Sequence, residues 1–371
     1  MDLSRRLLLG AAAGGAALSL SKAASAAEPA APPLLGPAPG FARLGLNENP
    51  YGPAPSAIKA MTEALSTGAY YPGGGIQRLM EMIAERHGVT TDHIIVSSGS
   101  GELLNAIALA YGMKGTLIST NLFWDAYFKF AEDKGVKTVR VPLKPDYSHD
   151  FVAMEAAITP TTSLVSVCNP NNPTGSYLKT TEIRKLINST PKNVLIVLDH
   201  AYEEFVDEAD YPNAIALVNE FENVVATRTF SKIYGLASLR VGWCYSSEYV
   251  AEVLNKVRGP FNVSGPGQVA ALAALYDDEF FAASKAHNKK WLKILFQEFA
   301  KLDHVKAHPS IANFILLDFG STEYCQKANH KLLENGFILR EMAGYGLPNC
   351  LRLTIGTEEE NLQVLEVLKA V

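Results

Sequence analysis

The chain has 371 residues, 48% hydrophobic and 19% charged, with a formal net charge of −5. That mixture excludes a disordered or fibrous chain, and the length accommodates one large domain and a smaller one. No basic patch stands out, which argues against nucleic acid as the main partner. The four cysteines, Cys168, Cys244, Cys325 and Cys350, form no CxxC or other metal-ligand spacing. Three of them sit in or beside apolar, strand-like runs, so buried thiols are expected rather than a disulfide or zinc framework.

At the N-terminus, Arg5 and Arg6 precede Leu7, Leu8 and Leu9, and a weakly apolar run continues to Leu20. Lys22 follows, then Ala24-Ser25-Ala26, a small-x-small cleavage site. The pattern resembles a twin-arginine signal over residues 1–26, implying the twin-arginine export machinery as a partner and a periplasmic location. An ordinary Sec signal or an N-terminal helix is the alternative, and the protein stays cytoplasmic if the signal is not used. The apolar run is too short to span a bilayer core of roughly 30 Å stably. Residues 27–60, with the Pro-rich Pro29–Pro39, read as a linker and N-terminal arm.

From Tyr70 onward, short apolar runs alternate with amphipathic stretches. Strands are predicted at Ile94–Ser97, Thr116–Ser119, Thr138–Val141, Leu164–Cys168, Val194–Leu198, Val224–Thr227 and Leu239–Tyr245. Between them lie helical patterns such as Glu102–Tyr111, Ala126–Lys134 and Thr181–Asn188. This alternation predicts an α/β fold with a mostly parallel sheet covered by helices, over residues 61–258. Long helical stretches, Gly267–Tyr276 and Asp278–Leu302, then lead through Asn313–Asp318, Lys331–Asn335 and Leu351–Ile355 to a last helix, Glu358–Lys369. Residues 259–371 read as a smaller α+β domain.

Ligands of such sheets bind beyond the C-terminal strand ends, so the polar residues there carry the interest. Ile94–Ser97 runs into Ser98-Gly99-Ser100-Gly101-Glu102 and a helix, which is a phosphate cradle or a simple strand–helix turn. It fits neither GxGxxG, since Leu104 stands at the last glycine position, nor a P-loop. Leu164–Cys168 leads into Asn169-Pro170-Asn171-Asn172-Pro173-Thr174-Gly175, a sharp loop that presents side-chain amides or is purely structural. Val194–Leu198 ends in Asp199, either a partner for a ligand cation or a helix N-cap. At about 4 Å and an effective dielectric near 20, such a pair gains on the order of 4 kcal/mol before desolvation. Lys232 follows Val224–Thr227, flanked by hydroxyls, and is a desolvated amine nucleophile or a solvated surface lysine.

Taken in order, these segments resemble the fold-type I pyridoxal-phosphate (PLP) aminotransferases of class I/II, and most closely the histidinol-phosphate aminotransferase branch. The resemblance covers residues 41–371 and rests on LNENPYGP (46–53), YYPGGG (70–75), NPNNPTG (169–175), DHAY (199–202), TFSKIYGLASLRVGW (229–243), RGPFNVS (258–264) and LREMAGYGLPNCLRLTIGT (339–357). It implies pyridoxal 5′-phosphate as cofactor and a homodimer that passes an amino group from a small-molecule donor to a 2-oxo acid, with 2-oxoglutarate the expected acceptor. Lys232 would link to the cofactor and move the proton between Cα and C4′. Asp199 would pair with the ring nitrogen, Tyr202 and Asn172 with the ring O3′, and Trp124 would stack on the ring. Ser100, Gly101, Ser231 and Arg240 would hold the phosphate, with Tyr71 reaching it from the neighbouring subunit. Arg352 would bind the substrate carboxylate or phosphate, helped by Arg340, Tyr51 and Asn47.

The chain departs from that pattern at Gly101, His200, Ser238 and Glu341. None of these removes a catalytic group, but Glu341 lies beside the expected anion site, and His200 has no assigned task. The resemblance also extends to threonine-phosphate decarboxylases, which break a different Cα bond, and transamination of aromatic amino acids is a further alternative.

Overall fold

In the computed structural model, residues 35–371 are described, and residues 40–371 form one compact unit. The expected export signal, including Arg5 and Arg6, lies outside the described residues.

Strand β1 (Ala42–Leu44) comes first and joins a distant sheet. Seven strands then build the larger sheet: β2 (Ile94–Ser97), β3 (Thr116–Thr120), β4 (Thr138–Val141), β5 (Thr162–Cys168), β6 (Leu195–Asp199), β7 (Val224–Thr229) and β8 (Gly242–Ser246). Their order is β2-β8-β7-β6-β5-β3-β4. All neighbours pair in parallel except β8, which runs antiparallel between β2 and β7.

The strands alternate between two cores, because successive side chains leave a strand on opposite faces. Val165, Val167, Ile196, Leu198, Val224 and Ala226 enter one core. Leu164, Cys168, Leu195, Val197, Val225 and Cys244 enter the other. With both faces covered, the strands read as continuous apolar runs. All four cysteines are buried and unpaired.

The second sheet has β9 (Lys306–Ala307), β10 (Phe314–Asp318), β11 (Phe337–Glu341) and β12 (Cys350–Thr354) in the order β1-β11-β12-β10-β9. It packs on helices Asp278–Phe299, Thr322–Glu334 and Glu358–Lys369 through Leu44, Leu295, Phe299, Ile315, Leu332, Leu353 and Leu365.

Four details depart from the sequence expectations. Strand β8 starts at Gly242 rather than Leu239, because Ala237–Leu239 is a 3₁₀ turn and Arg240 adopts a left-handed φ of 52°. No strand was expected at Phe337–Glu341, which is β11, after a helix that ends at Glu334. Helix Gly265–Tyr276 buries Ala270, Ala271, Ala274 and Leu275 in a core of the larger sheet, so its packing belongs there although it follows residue 259. The arm is not merely a linker, since β1 pairs in parallel with β11.

Candidate active site

The C-terminal ends of β5, β6 and β7 face a cleft of about 470 Å³. Every sequence-predicted site residue lines it except Tyr51 and Tyr71. Parallel packing explains this convergence: polar residues following β2, β5, β6 and β7 emerge at one edge of the sheet.

At one end, Gly99 takes a φ of +75° before the helix Ser100–Gly112. A Cβ there would overlap the Arg240 guanidinium, so glycine lets the arginine lie against the start of the helix. Arg240 donates to Ser231 Oγ at 3.1 Å and to the Ala237 carbonyl at 2.9 Å. Ser231 Oγ also accepts from Thr229 Oγ1 at 2.9 Å. Helix N–H groups, a hydroxyl and a guanidinium thus line one end, a combination suited to a phosphate.

In the middle, Asp199 ends β6 and is 4% exposed. Burial raises its carboxyl above the ordinary range, opposed by a hydrogen bond from Thr227 Oγ1 at 3.1 Å. Lys232 Nζ donates to the Leu46 carbonyl at 3.1 Å. Burial, helped by the positive charge of Arg352, lowers its amine to about 8. Near neutral pH such an amine has an appreciable uncharged fraction, the form a nucleophile or proton carrier needs. Tyr202 is buried, and its oxygen accepts from Asn47 Nδ2 at 2.9 Å and Asn172 Nδ2 at 3.3 Å. The phenol proton is therefore available to a ligand. Asn47 holds a φ of 56°, a left-handed conformation that asparagine tolerates better than most residues. Trp124 is half-buried, with its indole edge over Gly101.

At the other end, antiparallel pairing sets Arg340 of β11 directly opposite Arg352 of β12. Like charges directly opposite are destabilising unless an anion lies between them. Arg352 is 5% exposed and donates to Asn172 Oδ1 and, at 2.7 Å, to the Gly45 carbonyl. Its Nε is buried without a partner, and burial, with Arg340 adding to the effect, lowers its pKa.

These residues fit PLP: a buried carboxylate for the ring nitrogen, an amine for the aldehyde, and an anion cradle for the phosphate. Arg352 keeps an unsatisfied donor for a substrate anion.

Tyr51 lies outside the cleft lining, half exposed, with its hydroxyl 2.9 Å from His287 Nδ1. His287 Nε2 donates to the Gly356 carbonyl at 2.8 Å, so in the neutral imidazole Nδ1 accepts from Tyr51. Tyr71 is 81% exposed and stacks on Phe261, with ring centroids 4.9 Å apart.

His200 leaves β6 on the face opposite Asp199, following the same alternation that separates Val197 from Leu198. Its Nδ1 lies 2.7 Å from Glu203 Oε2, which also pairs with Arg228 at 2.8 Å. Against the effect of burial, Arg228 and His200 hold Glu203 down to about 2. His200 thus belongs to an ion network behind the strand end. Glu341 is exposed, next to Arg340.

The sequence reading did not anticipate Arg43, Glu48, Thr229 or Tyr345, which also line the cleft. Arg43 and Glu48 pair with each other at 2.5 Å. Tyr345 sits among the arginines, within the LREMAGYGLP segment already singled out, and that was the available signal.

The family profile for aminotransferase class I and II matches residues 39–368. A histidinol-phosphate aminotransferase of Nitrobacter hamburgensis is 41% identical over 330 residues, covering 88% of this chain and 90% of that one. One from Rhodopseudomonas palustris is 40% identical over 344 residues, covering 92% and 94%. The structure of histidinol-phosphate aminotransferase from Sinorhizobium meliloti in complex with pyridoxal-5′-phosphate superposes with a TM-score of 0.81 at 26% identity, covering 89% of this chain and 91% of that one. On the profile, the relatives and the shared architecture, the chain belongs to the class I and II aminotransferases.

Proposed function

We propose that this chain is a PLP-dependent transaminase that moves an amino group from an anionic amino donor to a 2-oxo acid, with 2-oxoglutarate the acceptor. The observation that carries the reading is one cleft holding Lys232, Asp199 and the Arg340–Arg352 pair together. When bound, PLP supplies an electron sink for charge developing at the substrate Cα. Asp199 would pair with the ring nitrogen and keep it protonated. Ser100, Gly101, Ser231 and Arg240 would hold the phosphate, Tyr202 and Asn172 the ring hydroxyl, and Trp124 would pack on the ring. Arg352 and Arg340 would grip the donor's anion and orient its Cα–H bond. Lys232 would then accept the proton from Cα.

Two copies form the working unit in this proposal, with Tyr71 of each reaching the phosphate site of the other. That role agrees with its exposure in one chain. An active monomer in sedimentation at assay concentration would end this part of the reading.

The donor follows from location. Histidinol phosphate is favoured by the names of the relatives. The N-terminal pattern favours a periplasmic enzyme instead, and charged phosphorylated metabolites cross a bilayer poorly. We take the second line, with an amino acid as donor, aromatic ones suiting the Trp124 wall. Arginine pairs grip carboxylate and phosphate with the same bidentate geometry. Export of a reporter carrying residues 1–40, lost when Arg5 and Arg6 become Lys, tests the location.

Uptake of PLP by the wild type but not by Lys232→Ala, read from absorbance after dialysis, tests the core reading. The donor is tested by kcat/KM for histidinol phosphate, phenylalanine, tyrosine and glutamate. A preference for histidinol phosphate above about 100-fold, roughly 2.7 kcal/mol, rejects the amino-acid donor.

A further inference from the structure

Asp199 has a register partner on each side. Strand β5 sets Cys168 level with it, and β7 sets Thr227 level with it. Residues paired this way project on the same face, so the carboxylate stands between a thiol and a hydroxyl. The thiol is directed elsewhere: Cys168 Sγ donates to the Pro170 carbonyl at 3.4 Å, and burial keeps it protonated. Thr227 is completely buried, and its hydroxyl reaches Asp199 Oδ1 at 3.1 Å. Among the described residues it is the one side chain hydrogen-bonded to that carboxylate. His200, the next residue along, leaves on the opposite face and is bonded to Glu203.

We propose that Thr227 is a positioning residue for the cofactor: its hydroxyl commits one oxygen of Asp199 to the protein, fixes the plane of the carboxylate, and leaves the other oxygen for the PLP ring nitrogen. Thr227 touches neither substrate nor cofactor and acts only through Asp199. The inference rests on the PLP reading above.

The test uses four full-length proteins, the wild type and Thr227→Val, Thr227→Ala and Thr227→Ser. PLP affinity is measured by equilibrium dialysis, kcat and KM are measured separately, and urea midpoints are recorded on the cofactor-free proteins. Valine keeps the shape and loses the hydroxyl, whereas serine loses a methyl and keeps the hydroxyl. Alanine and serine both lack the methyl and differ only in the hydroxyl. Valine and alanine should bind PLP about tenfold more weakly, roughly 1.4 kcal/mol, and lose kcat by a similar factor with donor KM unchanged. Serine should stay within about twofold of the wild type. Serine matching alanine, or valine matching the wild type, would assign Thr227 to packing and overturn the proposal. Should valine fail to fold, the serine–alanine comparison decides alone. A wild type that takes up no PLP would overturn the cofactor reading, and with it this one.

Discussion

The two walls of the cleft are built in different ways. On the side of the larger sheet, Asp199, Thr229, Ser231 and Lys232 sit at or just beyond the ends of adjacent parallel strands, with Thr227 behind Asp199 inside β7. Strand register fixes their spacing, and covered faces hold Asp199 and Thr227 almost free of solvent. The opposite wall is assembled from far-apart pieces: Asn47 of the arm bonds Thr354, 307 positions away, and Arg352 reaches back to Gly45. There Arg352 is buried but Arg340 is exposed, and the nearby loop carries Tyr345. The first wall is suited to chemistry that tolerates little displacement. The second can change its ligand through a few exposed side chains without disturbing the strand ends.

If this contrast holds, substitutions on the sheet wall should strike kcat, and those on the arginine wall should strike KM or kcat/KM. The largest loss is expected for Lys232→Ala, a fall in turnover of at least about a thousandfold with the far-UV circular dichroism unchanged. Asp199→Asn removes the buried negative charge at the end of β6 and should cost about a hundredfold in kcat. Arg352→Lys keeps the charge and loses the fork, so kcat/KM should drop by about thirtyfold, roughly 2 kcal/mol. Arg340→Ala should raise donor KM only a few-fold, with an effect that shrinks as salt is added, because the side chain is exposed. If Arg340→Ala lowers kcat as much as Asp199→Asn does, the two walls do not divide the work.

A pH experiment sharpens the same contrast. Only the uncharged Lys232 amine can attack the cofactor aldehyde, and burial places its titration at about 8. Capture of PLP by cofactor-free protein should therefore quicken as pH rises toward about 8 and level off above it, as stopped-flow absorbance would record. A rise continuing to the ordinary lysine range would mean the amine is solvated.

The sheet wall was legible in the sequence because each functional residue follows a short, continuous apolar run. The position of a strand end, and hence of Asp199 or the Gly99–Gly101 turn, can be read from a few adjacent residues. Thr227 was not read as part of the site, since its task depends on pairing between β6 and β7, which local pattern does not encode. The arginine wall was readable only by resemblance: nothing near Arg340 announces that β11 will set it opposite Arg352, and β11 itself went unpredicted. The arm was expected, but not its strand, because the three residues Ala42–Leu44 leave almost no periodic signal. Tyr51 shows the limit of motif transfer. Its segment is in place, yet its hydroxyl is held by His287.

The most direct measurement is a single half-reaction. Cofactor-loaded protein is mixed with an amino donor in the absence of any oxo-acid acceptor, and the released oxo acid and carbon dioxide are counted. An aminotransferase built as described should release one oxo acid per protomer and no carbon dioxide, then stop until 2-oxoglutarate is added. Carbon dioxide release, or turnover that continues without an acceptor, would contradict it.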